Sequence, residues 1–362
     1  MEPIDKDPSF IVRSESPICG GPPLARLVER PLTWREDFFV RNHGAIPDLA
    51  LDGWHLSVEG MVARPMRLTL EELVGRFARR DLVATLQCAG NRRDELIGVR
   101  PIPGEVPWGA EAVSTARWGG VSLADVLGAA GVAEGATHVA FEGLDRVTRH
   151  DRTFGFGSSI DLSRALAGDV LLADRMNGSA LPPEHGFPLR VVIPGYIGAR
   201  SVKWLGRIVV QDRPSDNYFQ AHAYKLLPPD VDPAAADWEA YPAIEEAPLQ
   251  AVVCVPATGA HVPAGQIIVQ GYATAPGHRR VAAVEVSPDR GATWHPADLL
   301  DRPAPGGWSR WQVIVTLPAG KGELWARARD SEGGTGAVHV ADRWNPKGYM
   351  NDAWHRIGVT AV

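Results

Sequence analysis

The densest polar stretch of the chain is LQCAGNRRDEL, where a strand-like run delivers Cys88 into a glycine-containing turn followed by Asn91, Arg92 and Arg93. Two guanidinium groups beside a thiol lower its pKa and favour the thiolate, the form that acts as nucleophile or as ligand to a soft metal. The rival reading is a surface turn with a buried cysteine and two solvated arginines, and residue type alone does not choose between them. Other basic segments share this character. FFVRNHG sets Arg41, Asn42 and His43 just after an apolar pair, and HGFPLRVVIPGYIGARSVKW carries His185, Arg190, Arg200, Ser201 and Lys203 around a strand. The planar fork of Arg and the donors of Ser and Lys suit phosphate and oxyanions. Singly each is an ordinary surface charge; as a set they point to an anionic cofactor together with an anionic substrate.

The usual nucleotide and hydrolase signatures are missing. No P-loop, HExxH or GxSxG occurs, and FGFGSSI fails the dinucleotide fingerprint because Ile160 stands where its third glycine belongs. Cys19, Cys88 and Cys254 are too few and too scattered for a disulfide framework, lack the paired spacing of zinc or iron–sulfur sites, and include no CxxCH haem attachment. A formal charge of −6 gives no sign of a nucleic-acid partner, so any anion site must be a local cluster. The opening MEPIDKDPSFIVRSESPICGGPP has early acidic residues and no apolar core of a signal peptide, and no stretch reaches the length of a membrane span. The expectation is a soluble, cytoplasmic protein with no membrane partner.

At 362 residues the chain exceeds what one core usually organises, so the elements that position these residues are expected in two domains. Residues 1–31, rich in Pro, Gly and charge, look like an arm lying across a surface. Residues 32–225 mix helical and strand-like pieces without a simple βαβ repeat, the pattern of an α+β domain. LTLEELVGRFARR puts Leu70, Leu73, Val74 and Phe77 on one helical face behind a capping box of Thr69 and Glu72, and VSLADVLGAAGV offers Ser122 as cap and Gly131 as stop. LVATLQC, THVAFEG, LRVVIPG and RIVVQD are the strand candidates. A Pro- and Ala-rich linker, 226–248, leads into residues 249–362, where short strands separated by turns such as Asp289-Arg290-Gly291 predict an all-β, immunoglobulin-like sandwich. Trp294, Trp308, Trp311 and Trp325 are expected in core or interface.

LQCAGNRR resembles the metal-binding loop of the sulfite oxidase family, which includes the molybdenum domain of eukaryotic nitrate reductases. FFVRNHG, ARWGG, MNG followed by HGFPLRVVIPG, GARSVKWLG and the late AWHR occur in family order, so the likeness runs from Thr33 to Arg356. The resemblance implies molybdopterin, a pyranopterin whose dithiolene binds Mo, with Cys88 as the protein's metal ligand. It assigns Phe39, Arg41, Asn42, His43, Asp145, His185, Arg190, Arg200, Ser201 and Lys203 to the pterin and its phosphate. Arg41 and Arg93 would face the substrate oxyanion, Trp108 would line the pocket, and Arg356 would complete it from the C-terminal domain. FGSSI places Phe156 where the family carries a Tyr beside the metal, which predicts a missing phenol, since Phe can neither donate a hydrogen bond nor move a proton.

The activity so implied is oxidation of sulfite to sulfate by oxygen-atom transfer, with electrons leaving to dioxygen or an external acceptor. Phe156 keeps nitrate reduction or another sulfur compound open within the same fold. A non-enzymatic β-sandwich binding protein is the alternative from a different class. The family also implies a homodimer formed through the C-terminal domain.

Overall fold

In the computed structural model, which describes residues 4–362, strands dominate and the five α-helices are short, none exceeding eight residues. The α+β expectation for the first domain is therefore corrected toward β. Helix Leu70–Arg76 forms where its capping box dictates: Thr69 accepts from the Glu72 N–H and Glu72 answers to the Thr69 N–H. Helix Leu123–Ala130 stops at Gly131, whose φ of +72° is the left-handed conformation that favours glycine. Its Ser122 stands at the cap position but makes no capping bond; the hydroxyl donates to the Gly168 carbonyl instead.

Two five-stranded sheets build the first domain. One runs Gly157–Asp161, His138–Gly143, Leu205–Gln211, Leu56–Gly60, Met66–Leu68, antiparallel except for the parallel pair in its interior. The other centres on the antiparallel strands Leu171–Met176, Val113–Ser122 and Arg79–Gln87, with Arg190–Val192 joined to its Leu171–Met176 strand. Val113–Ser122 is buried along both faces, as a strand covered on both sides must be. Cys88 follows directly on the end of Arg79–Gln87, so a well-packed strand fixes its position.

The second domain is two facing sheets around one apolar core that includes Val269, Trp311, Val313, Leu324 and Ile357. The predicted strands form as Gln250–Val255, Gly265–Thr274, Val281–Ser287, Ser309–Leu317 and Gly320–Asp330; His355–Ala361 adds one that the pattern did not single out.

The N-terminal segment is more than an arm over a surface. Ile11–Glu15, Ile18–Gly21 and Val40–Arg41 pair as a small sheet, and helix Leu24–Val28 packs with Val252, Cys254, Tyr272 and Trp308 of the second domain. Burying Leu27 and Val28 there ties the segment to both domains, at roughly 1.5–3 kcal/mol per fully buried side chain. Residues 1–3 of the predicted arm lie outside the described residues. Among the described residues no helix is long and apolar enough to cross a membrane.

Candidate active site

Cys88 sits in a tight turn held from every side. Its N–H donates to the Ala112 carbonyl at 2.9 Å, and the Asn91 N–H returns to the Cys88 carbonyl at 3.0 Å. Asn91 clamps the loop across the domains: its amide donates to Gln250 Oε1 and to the Tyr272 hydroxyl, both at 2.9 Å, while its oxygen accepts from the Ala112 N–H. Arg92 takes a left-handed φ of +65°, which its neighbours stabilise: Glu95 pairs with its guanidinium at 2.7 and 2.8 Å, and Asn351 donates to its carbonyl. The Met350 N–H donates to the carbonyl of Ala89, beside the thiol. A Cβ at Gly90 would lie 2.4 Å from the Arg93 guanidinium, so any other residue there must displace that side chain.

Beyond the thiol opens a cavity. Phe39, Arg41, Asn42, His43, Cys88, Asp145, Phe156, His185, Arg190, Ser201 and Lys203 line it, residues drawn from segments far apart in the chain. Its cations bond to neutral oxygens, and Asp145 acts on Lys203 through charge alone. Lys203 Nζ donates to the Glu184 carbonyl at 2.9 Å and to the Asn42 side chain; Arg190 donates to the carbonyls of His185 and Ser201 at 2.9 and 3.0 Å. Burial pulls Lys203 down to about 7, with Arg190 adding to the effect, and pulls Arg190 itself down to about 9. Burial also holds both histidines well below their ordinary value, helped chiefly by Arg41 at His43 and by Lys6 at His185, so both are neutral. Lys6 reaches in from the N-terminal segment to within 3.0 Å of His185 Nε2. An ammonium can only donate, so the remaining ring proton of His185 belongs on Nδ1.

Four predicted residues lie elsewhere. Arg200 is wholly buried behind the cavity, tying the Ile244 carbonyl and Gln220. Trp108 is fully buried, its ring edge-on to Phe39 at 6.5 Å, and backs the wall. Arg93 extends to the other side of the loop, donating to the carbonyls of Val106, Lys347 and Gly348. Arg356 is the larger departure: it stacks 3.8 Å from Trp325 and donates to the Val338 carbonyl, away from the cysteine. Strand alternation is the reason, since His355 takes the inward face of His355–Ala361. The C-terminal domain approaches the Cys88 loop through Lys347, Gly348 and Tyr349 instead.

Two expectations about chemistry are also revised. The Cys88 thiol is raised rather than lowered, because burial outweighs the pull of Arg41 and Arg93, and Arg92 is spent on Glu95. A free nucleophile gains nothing from such a site, whereas coordination to a metal deprotonates a thiol outright. The phenol missing at Phe156 is supplied by Tyr224, which lines the cavity, donates to or accepts from His43 Nε2 at 2.9 Å, and stacks on Tyr349 at 5.4 Å. Phe156 packs against His43 and Phe219 at 4.8 and 4.4 Å and serves as wall. Nothing in AHAYKLLPP marks Tyr224 in the sequence; only the fold brings it across to Arg41 and Cys88.

An anionic pterin fits these residues. Arg41, Arg190 and Lys203 make no direct ion pair to a carboxylate among the described contacts and suit an anion, the Asn42 side-chain amide is buried without an acceptor, and one thiol alone cannot hold a metal. Among the described residues no three His, Cys, Asp or Glu side chains converge as a protein-built metal site, so the other donors must come with the cofactor.

Comparison with known proteins agrees. Residues 43–219 match the oxidoreductase molybdopterin binding domain, and residues 241–362 match the Mo-co oxidoreductase dimerisation domain. Sulfite oxidase of Gallus gallus is 45% identical over 97% of this chain and 78% of its own length. Mitochondrial sulfite oxidase of Homo sapiens is 41% identical over 98% of this chain, which spans 66% of that protein. The solved sulfane dehydrogenase SoxCD of Paracoccus pantotrophus, 24% identical, superposes with a TM-score of 0.80 over 98% of this chain and 85% of its own, a likeness of fold. These matches leave no place for a non-enzymatic sandwich protein: the chain belongs to the sulfite oxidase family and is a molybdenum-cofactor oxidoreductase.

Proposed function

We propose that this enzyme oxidises sulfite to sulfate, taking one oxygen from water and releasing two protons and two electrons to an external acceptor. The observation that carries the reading is the convergence of Cys88, Arg41 and the Tyr224 phenol at one end of a cavity whose remaining lining holds buried, unneutralised cations. Cys88 would ligate the metal; Asn42, His43, His185, Arg190, Ser201 and Lys203 would hold the pterin and its phosphate. When bound, that group supplies oxygen-atom transfer and stores the two electrons.

The chain's own part is charge, orientation and dryness. Arg41, in the lining beside the thiol, holds an oxyanion by charge-assisted hydrogen bonds, while Arg93, its N–H groups largely committed to loop carbonyls, adds its charge from across the loop. Tyr224, whose acidity burial suppresses, stays protonated and offers a hydrogen bond to an oxygen on the substrate or moves a proton toward neutral His43. Phe156, Phe219 and Tyr349 crowd the same end and limit water. Arg356 has no part in this scheme; Lys347, whose carbonyl accepts from Arg93, is the cation the C-terminal domain brings to this loop.

The second domain, on this reading, is immunoglobulin-like in arrangement and makes a homodimer, for which its match to a dimerisation domain is the support. Residues 32–225 and 249–362 are the proposed functional units, in a cytoplasmic protein. Sedimentation velocity across a dilution series is expected to give a dimer, and a monomer at all concentrations would remove this part.

The activity is tested with molybdenum-loaded protein and ferricyanide as acceptor. Sulfite-dependent reduction with one sulfate formed per two electrons is expected. Inertness toward sulfite, with reduced enzyme reoxidised by nitrate, would overturn the substrate.

A further inference from the structure

Across the Cys88 loop from the cavity, where the charge of Arg93 still reaches the thiol, the cations are not left unpaired. Glu105, in the turn before Trp108, puts one carboxylate oxygen 3.1 Å from Lys347 Nζ and the other 3.7 Å from the Arg93 guanidinium. The two cations come from opposite sides: Arg93 opens the helix after the cysteine turn, and Lys347 belongs to the C-terminal domain. Glu105 is 15% exposed and Arg93 2%, so solvent screens this triad poorly. Its negative charge is also felt at both Tyr224, which shares the cavity with the thiol, and Tyr349 stacked on it.

The backbone around the triad is fixed. Gly348 leaves no room for a Cβ, which would meet Arg93 Cγ at 2.6 Å, and Asn345 pins the turn through both the N–H and the carbonyl of Tyr349. Arg93 is further held by three carbonyls. Lys347, 25% exposed, makes its ion pair to Glu105 alone among the described contacts and is the member free to move. A carboxylate so placed repels any incoming oxyanion and occupies the cation that would greet it.

We propose that Glu105 is a built-in counter-anion of the substrate site: it holds Lys347 and balances Arg93 while the site is empty, yields Lys347 to the substrate oxyanion, and keeps sulfate affinity low so that product leaves. This rests on the oxyanion-oxidation reading above, but it concerns anion binding and can be measured without turnover. Glu105 is a specificity residue in this scheme and makes no bond to the reacting atoms.

The test is calorimetric titration of sulfate into the molybdenum-loaded protein, wild type, Glu105→Gln and Lys347→Met, alongside steady-state sulfite oxidation. Removing one like charge from a poorly screened site is expected to tighten sulfate binding about tenfold in Glu105→Gln. KM for sulfite falls in step, and kcat changes by less than KM does. Lys347→Met weakens sulfate binding by a comparable factor, and adding Glu105→Gln to it then gains less than in the wild type. Unchanged or weaker sulfate binding in Glu105→Gln overturns the proposal and makes the carboxylate a structural tie, as does wild-type affinity in Lys347→Met. No sulfate binding in any of the three proteins overturns it too. Tighter sulfate binding in Glu105→Gln with no reduction by sulfite in any variant would sink the substrate assignment and leave the counter-anion standing.

Discussion

The two sides of the Cys88 loop carry similar cations in opposite electrical states. On the cavity side, Lys203 and Arg190 are buried against carbonyls and an amide, and burial drags both down. On the far side, Arg93 and Lys347 share the Glu105 carboxylate. The first is a poor arrangement until an anion arrives and then a tight one, as suits a cofactor held for the life of the enzyme. The second is already half neutralised, one carboxylate against two cations, so an anion gains less by entering and leaves more readily. Resident and transient ligands are thus told apart by what neutralises the cations in their absence.

The sharpest way to break this division is at the atom between its halves. Cys88→Ser is expected to keep the fold, since the turn is held by backbone and by Asn91, and to lose sulfite oxidation by at least about a thousandfold as the metal loses its protein sulfur. Circular dichroism with metal analysis and turnover checks it; near wild-type turnover with metal bound would refute the ligand assignment.

Tyr224→Phe is the next largest. Loss of one positioned hydroxyl is expected to lower kcat by about 10²-fold with smaller change in pterin content, and to alter the pH profile of kcat. An unchanged rate would return the phenol to a merely packing role beside Tyr349.

Lys203 sharpens the cavity side through pH. Its ammonium is held to about 7 in the empty site, and a bound phosphate needs it protonated, which raises the bound-state pKa. Cofactor binding therefore takes up a proton above pH 7, and affinity falls as pH rises through that range, by at most about tenfold per unit. Calorimetry in buffers of different ionisation enthalpy reads the uptake directly; Lys203→Met should abolish it.

The smallest effect lies far from either side. Thr69→Ala removes a capping box on an exposed helix and should cost about 1 kcal/mol in denaturant melts with no change in kcat or KM.

Much of the cavity side was legible because its residues travel in short polar clusters beside strands: Arg41, Asn42 and His43 in one, Arg190, Ser201 and Lys203 in another. The far side apart from Arg93, and Tyr224 in the cavity lining, were not. Glu105, Lys347 and Tyr224 are single residues in unremarkable loops, brought together across 242 and 119 positions only when both domains close on the cysteine turn. Proximity in sequence also misled. Arg92 and Arg93 were expected to share one task, yet the left-handed Arg92 turns to Glu95 while Arg93 turns to the C-terminal domain. Arg356 was one residue from the inward face, and in a strand one residue is the whole difference. The raised Cys88 thiol shows the same limit, since burial is a property of the fold and not of neighbouring letters.

Whether sulfite delivers electrons to a metal held by Cys88 is tested most directly by an anaerobic visible spectrum of the molybdenum-loaded protein before and after sulfite. Prompt bleaching of the thiolate-to-metal band, complete at one sulfite per molybdenum and absent in Cys88→Ser, is the predicted result. An unchanged spectrum with molybdenum confirmed in place would contradict it.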